Sequence, residues 1–137
     1  MSTSLQRKAE KLAQLLERLE AEAAKNALIV VEGQNDIEAL TELAIQGNII
    51  SVKTAGKSFL DILTEIEEHN TNEVILLLDF DRRGKEWTKR LKHRLEEKRV
   101  KVNVNFWSKL HALVGHNIKD IEGLPAYMET LKKRIGN

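Results

Sequence analysis

The stretch of this chain that most narrows its fold is EVILLLDFDRRG, residues 73 to 84. Val74 to Leu78 are five consecutive aliphatic residues with no polar residue among them. A strand made of them must be covered on both faces, which is the condition of a strand inside a parallel sheet. The run then stops at Asp79 and Asp81. An ionised carboxylate in an apolar interior costs several kcal/mol unless something positive stands beside it. The two acids are therefore expected at the strand's carboxyl end, where the chain leaves the core.

The rest of the sequence repeats the pattern. ALIVV, 27 to 31, is a second short apolar run, followed by EGQND and a helical segment from about Asp36 to Gln46. NIISVKTAG, 48 to 56, reads as a strand and a glycine loop, and SFLDILTEIEEH, 58 to 69, as a helix that puts Phe59, Ile62, Leu63 and Ile66 on one face. After the strand at 73 to 78, a helix is predicted from about Gly84 to Lys98, and VKVNVNF, 100 to 106, alternates as a fourth strand. Residues 4 to 25 form an amphipathic leader helix with Leu5, Ala9, Leu12, Leu16, Leu19 and Ala23 on one side; 107 to 114 and 124 to 135 are helical, the latter opening at Pro125. Strands alternating with helices of this length make βαβ units. The expected fold class is α/β, a Rossmann-like doubly wound parallel sheet of four strands in the order 2-1-3-4. The core spans 26 to 106, with a leader at 1 to 25 and a tail at 107 to 137. The leader helix is expected to pack on its own domain, although its apolar seam also offers a surface for a homo-oligomer.

In such sheets ligands sit beyond the carboxyl ends of the strands, where the strand order reverses. If the first strand is central and the order is 2-1-3-4, that point lies between the first and third strands, which brings Glu32 and Gly33 beside Asp79, Phe80 and Asp81. Three carboxylates in one cleft repel one another, and a divalent cation removes the conflict. Magnesium prefers oxygen ligands and is commonly held by one or two carboxylates together with substrate phosphate, so Asp79 and Asp81 are its candidate ligands, with manganese as a possible substitute. Glu32 is placed to share the metal or to move a proton during phosphoryl transfer. Gly33 and Gly84 leave room for something bulky to approach the backbone.

Charge supports a polyanionic partner. Residues 82 to 101 hold ten Lys/Arg against three Glu, a net +7, which leaves the rest of the chain at −6. Arg82, Arg83 and Lys85 adjoin the acids, and Lys53 and Lys57 flank Gly56 on the second strand's loop; all five are candidate contacts to the phosphates of DNA or RNA. Trp87, Leu91 and Leu95 are expected to face the core. Few aromatics are interleaved with the cations, so contact to the nucleic-acid backbone is expected rather than base stacking. Asp36 is expected to cap a helix and Tyr127 to pack; Glu122 is a more distant acid that could swing to the metal, and His111 and His116 lack acids at ligand spacing. With no cysteine there is no disulfide framework or thiolate metal site, and no segment approaches the ~20 apolar residues of a membrane span. No signal-peptide core is visible at the N-terminus, so a soluble, unprocessed cytoplasmic protein is expected.

At these residues the chain resembles the Toprim domain family, shared by topoisomerases, bacterial-type primases, RecR-like recombination proteins, overcoming-lysogenization-defect nucleases and a ribosomal-RNA maturase. VVEGQNDIEAL, 30 to 40, is similar to that family's Glu-Gly motif, LLLDFDRRG, 76 to 84, to its Asp-x-Asp-x-x-Gly motif, and TAGKS, 54 to 58, stands where the family has a glycine loop. The resemblance implies that Glu32 is the general acid/base and that Asp79 and Asp81 carry magnesium. Type IA topoisomerases have a third acid where this chain has Arg83, and there is no room for a primase's further modules, so a compact Toprim protein of the nuclease-like or small archaeal type is expected. The function that follows is Mg²⁺-dependent phosphodiester chemistry on nucleic acid, with nuclease-type cleavage ahead of a non-catalytic nucleic-acid or ribonucleoprotein adaptor.

Overall fold

The computed structural model describes residues 3–53 and 56–136. The chain runs α1 (Ser4–Ala23), β1 (Ala27–Val31), α2 (Gln34–Glu42), β2 (Asn48–Ser51), α3 (Phe59–Glu68), β3 (Glu73–Leu77), α4 (Arg82–Glu97), β4 (Val102–Asn103), α5 (Asn105–Val114), a 3₁₀ turn (Ile121–Gly123) and α6 (Leu124–Ile135). The four strands form one sheet in the order β2-β1-β3-β4 with every pairing parallel, as the alternating pattern predicts. Every residue of β1 and β3 is buried, which is why neither strand shows polar alternation.

The pleat divides these residues between two cores. Ala27, Ile29, Val31, Ile75 and Leu77 face a layer made by α1, α2, α5 and α6, where Leu12, Leu19, Leu40, Leu110 and Leu131 meet them. Leu28, Val30, Val74, Leu76 and Leu78 face α3 and α4 through Ile62, Leu63, Ile66, Leu91 and Leu95. Helices on both faces are the doubly wound arrangement. The leader helix buries Leu12, Leu15, Leu16 and Leu19 in its own chain's core. No described helix is long and apolar enough to cross a membrane.

Local chemistry sets the element ends. The Thr3 hydroxyl accepts from the main-chain N–H of Gln6 while the Gln6 side chain accepts from Thr3, and Ser58 and Asp61 repeat this reciprocal box at α3. α2 and α4 close in Schellman motifs: Ile45 N–H donates to Leu40 and Val100 N–H to Leu95, with Ala44 (φ 66°) and Arg99 (φ 62°) in the left-handed region. α4 starts at Arg82, earlier than its apolar periodicity indicates, because Asp81 caps it. The alternation over 100 to 106 predicts a longer strand than forms. Only Val102 and Asn103 pair, because the Asn103 side chain accepts from the main-chain N–H of Asn105 and turns the chain into α5, delivering Phe106 to the core as a helical residue.

Candidate functional site

The reversal of strand order between β1 and β3 brings Glu32 and Asp79 to adjacent strand ends. Glu32 is 5% exposed, and its carbonyl oxygen accepts from Lys53 N–H at 2.9 Å, which continues the β1–β2 ladder by one residue and fixes Lys53 beside it. Burial pushes the Glu32 carboxyl above the usual range; Lys53, the main-chain N–H of Asp79 and Arg83 pull it back, while Asp81 pushes it further up. Asp79 is displaced more strongly. Burial, reinforced by the neighbouring charges of Glu32, Asp36 and Asp120 and opposed by Lys53, raises it to about 7. Its Oδ1 is buried and has no hydrogen-bond partner among the described residues.

Asp81 behaves differently from its neighbour two residues away. It is exposed, and its Oδ1 accepts from Gly84 N–H at 2.7 Å as the N-cap of α4. Phe80 between them turns into the core, packs on Trp107 and His111, and donates its N–H to the Lys119 carbonyl at 2.7 Å. Trp107 Nε1–H donates to the Leu78 carbonyl at 2.8 Å. The loop carrying the two acids is thus held from the far side by α5 and by the segment that follows it.

That segment adds acids of its own. Asp36 caps α2, as its place predicts, with Oδ2 accepting from Gly33 N–H at 2.9 Å. It is also 4% exposed, and its Oδ1 accepts from Glu122 N–H at 2.8 Å. Asp36, Asp120 and Glu122 can each offer a carboxylate oxygen within 4.8 Å of the others. Burial raises Asp36, its two main-chain donors pull it down, and Asp120 and Glu122 push it up. These three open with Glu32 and Asp79 onto a cleft of about 340 Å³. Of the acids the chain brings here, Asp120 has no signal in the sequence beyond its place three residues before Gly123, whose N–H it caps.

Glu32 and Lys53 also border a second cleft, of about 350 Å³, reached by Gly56, Lys57, Arg83 and Trp87. The predicted phosphate contacts divide here. Lys53 and Arg83 make no ion pair among the described residues, whereas Lys57 is held by Glu65 at 2.7 Å and reaches the Ser51 carbonyl. Arg82 pairs with Glu86, and Lys85 is exposed on α4. Gly56 has φ +79°, a conformation that favours glycine, while Thr54 and Ala55 of the predicted glycine loop lie outside the described residues. Gly33 lines the acidic cleft. Gly84 does not serve a ligand's approach: it is buried, and a Cβ there would overlap the Asp79 carbonyl, so the space it leaves is filled by the protein's own strand end.

The chemistry of this donor set suits a hard divalent cation. It consists of oxygen ligands, one with a buried atom left unpartnered, and mutual repulsion that a cation would relieve.

The Toprim domain model matches residues 27–105 of the chain. A UPF0292 protein of Methanocaldococcus jannaschii is 34% identical over 119 residues, covering 87% of this chain and 91% of that one. A UPF0292 protein of Methanosarcina barkeri is 31% identical over 127 residues, covering 93% and 87%. A solved protein structure from Aquifex aeolicus is similar with a TM-score of 0.66 at 32% identity, covering 81% of this chain and 95% of its own.

Proposed function

This chain belongs to the Toprim family, and from that premise we propose that it carries out Mg²⁺-dependent phosphodiester cleavage on DNA or RNA, with Glu32 moving the proton. Toprim domains serve nucleic-acid metabolism that depends on magnesium, and the acidic cleft is of the kind that metabolism requires. One observation carries the finer reading. A buried glutamate with a raised proton affinity stands beside an aspartate whose buried oxygen has no partner among the described residues, and Lys53 and Arg83, in no ion pair among those residues, border a second cleft with the glutamate.

Each residue then has a part. Asp79 and Asp81 would hold magnesium, Asp79 from the acidic cleft that Glu32 and the Asp36–Asp120–Glu122 group also line, and Asp81 through the carboxylate oxygen that its cap bond does not use. When bound, magnesium supplies neutralisation of the charge on the phosphoryl oxygens. Lys53 and Arg83 receive the phosphate by charge and hydrogen bonding. Glu32, its carboxyl raised by burial, accepts a proton from the attacking oxygen or returns one to the leaving oxygen; help of this kind is typically worth about 10²- to 10⁴-fold. The main-chain N–H of Asp79 orients that carboxylate, and the Lys53 N–H bond to the Glu32 carbonyl fixes the main chain that carries it.

The test is a panel of single-stranded, duplex and structured DNA and RNA, incubated with magnesium, manganese or chelator. Glu32→Gln should lose most of the cleavage rate while binding changes little. A wild type that binds in a metal-dependent way and cleaves nothing would make the protein an adaptor, and cleavage by Glu32→Gln at the wild-type rate would remove Glu32 from the chemistry.

A further inference from the structure

Trp87 does not lie wholly in the core, as its helical spacing predicts. It is half-buried and lines the basic cleft with Glu32, Lys53 and Arg83, the last of these one turn before it on the same face of α4. Its indole is braced from behind. Phe59 meets it edge-on at 5.5 Å with the rings 70° apart, and the Arg90 guanidinium sits 4.2 Å over the Phe59 ring and 5.9 Å from the indole. The Trp87 N–H has no hydrogen-bond partner among the described residues and is not one of the buried polar atoms left without one, so solvent reaches it. A braced aromatic and two cations that make no ion pair among the described residues thus border one cleft, with the Glu32 carboxyl beside them.

We propose that this cleft takes one unpaired nucleotide of the substrate strand, with its base against the Trp87 indole and its phosphate between Lys53 and Arg83, so that the protein selects single-stranded or frayed nucleic acid over intact duplex. The proposal rests on the phosphodiester reading above and adds the substrate's form to it. The volume of about 350 Å³ falls at the lower end of small-ligand pockets, about 300–1,000 Å³, which suits one nucleotide and not a stretch of paired strand. A base stacked in a duplex has both faces covered and can meet an indole only after leaving the stack. Single-stranded sites of this kind join a positive groove for the backbone to aromatic faces for the bases. Elsewhere along α4, Arg82, Lys92 and Arg94 are in ion pairs with glutamates, and the exposed Lys85 and Lys89 have no tryptophan, tyrosine or phenylalanine on their helix other than Trp87 itself.

The experiment measures the affinity of a labelled 12-residue oligonucleotide, single-stranded and as a blunt duplex, at one salt concentration for wild type, Trp87→Leu and Trp87→Phe. A second single strand carries abasic residues throughout. Wild type should prefer the ordinary single strand to both the duplex and the abasic strand. Trp87→Leu should lose about 10- to 100-fold of that preference, the range for one stacked base, and Trp87→Phe should recover most of it. Recovery by phenylalanine, with unchanged circular dichroism and melting temperature in all three proteins, separates stacking from a structural role. Equal preference in wild type and Trp87→Leu overturns this proposal and leaves the phosphodiester reading standing; a wild type that binds none of the three probes overturns both.

Discussion

Asp79 is where the fold and the site conflict most sharply. Its carboxyl is forced to about 7 chiefly by burial, then by Glu32, Asp36 and Asp120, so the metal-free folded chain holds a proton there that the unfolded chain releases near 3.8. The folded state therefore binds more protons between those values. Stability contributed by this group is fully present below about pH 4 and is lost as pH rises through about 7. In chelator, the melting temperature should fall between pH 5 and pH 8 through this group, Asp79→Asn should flatten that fall, and millimolar magnesium should raise the wild-type value at pH 8 but not that of the variant. Thermal melts across pH, with and without magnesium, check all three. The sequence marks Asp79 clearly, as the end of a continuous apolar run. It carries no mark of Asp120, because a lone aspartate before a turn looks the same whether it caps that turn in solvent or faces a cleft.

At the scale of the elements, the connections between helix and strand carry local information that composition obscures. α2 and α4 both end with a left-handed residue before the next strand, and neither uses glycine there. Ala44, exposed at φ 66°, bears the steric cost of a Cβ in that region, while its N–H donates to the Thr41 carbonyl in the motif that ends the helix. Ala44→Gly should keep the motif, relieve the strain and stabilise the protein by about 1 kcal/mol, read as a higher midpoint in urea with an unchanged slope. The longer elements were legible because their apolar spacing repeats over several turns. β4 was legible as a strand but not in its length, since the alternation over 100 to 106 fits a longer one and the early exit depends on a single Asn103 side chain accepting from Asn105.

Across the whole molecule, the tail is as much a part of the site as of the core. Ile118, Ile121, Leu124 and Leu131 are buried with β1 and β3, Lys119 holds Phe80, and Asp120 and Glu122 face Asp36. Burying each aliphatic side chain contributes about 1.5–3 kcal/mol, so the four together approach a typical net stability of about 5–15 kcal/mol. A chain cut after Val114 should therefore lose cooperative unfolding in urea, monitored by circular dichroism, and should lose any stabilisation by magnesium. Retention of a sharp wild-type transition in the shortened chain would show that residues 1 to 114 fold without the tail.

What the sequence determined by itself was the architecture and its reactive edge. Unbroken aliphatic runs can be buried only within a covered parallel sheet, and charged residues at their ends can go only to the strand termini, so a parallel sheet with Glu32 and Asp79 at strand ends followed from short-range pattern, and the order that makes those strands neighbours from the family resemblance. What only the tertiary structure decided was how the charges are partitioned. Asp81 gives one carboxylate oxygen to a helix cap, Lys57 is held by Glu65 and Gly84 packs on the Asp79 backbone, while Asp36, Asp120 and Glu122 converge from a helix and a turn more than eighty residues apart. Those choices depend on which side chains come within reach after the layers pack, a matter of distances of a few ångströms set by long-range contacts that no local spacing encodes.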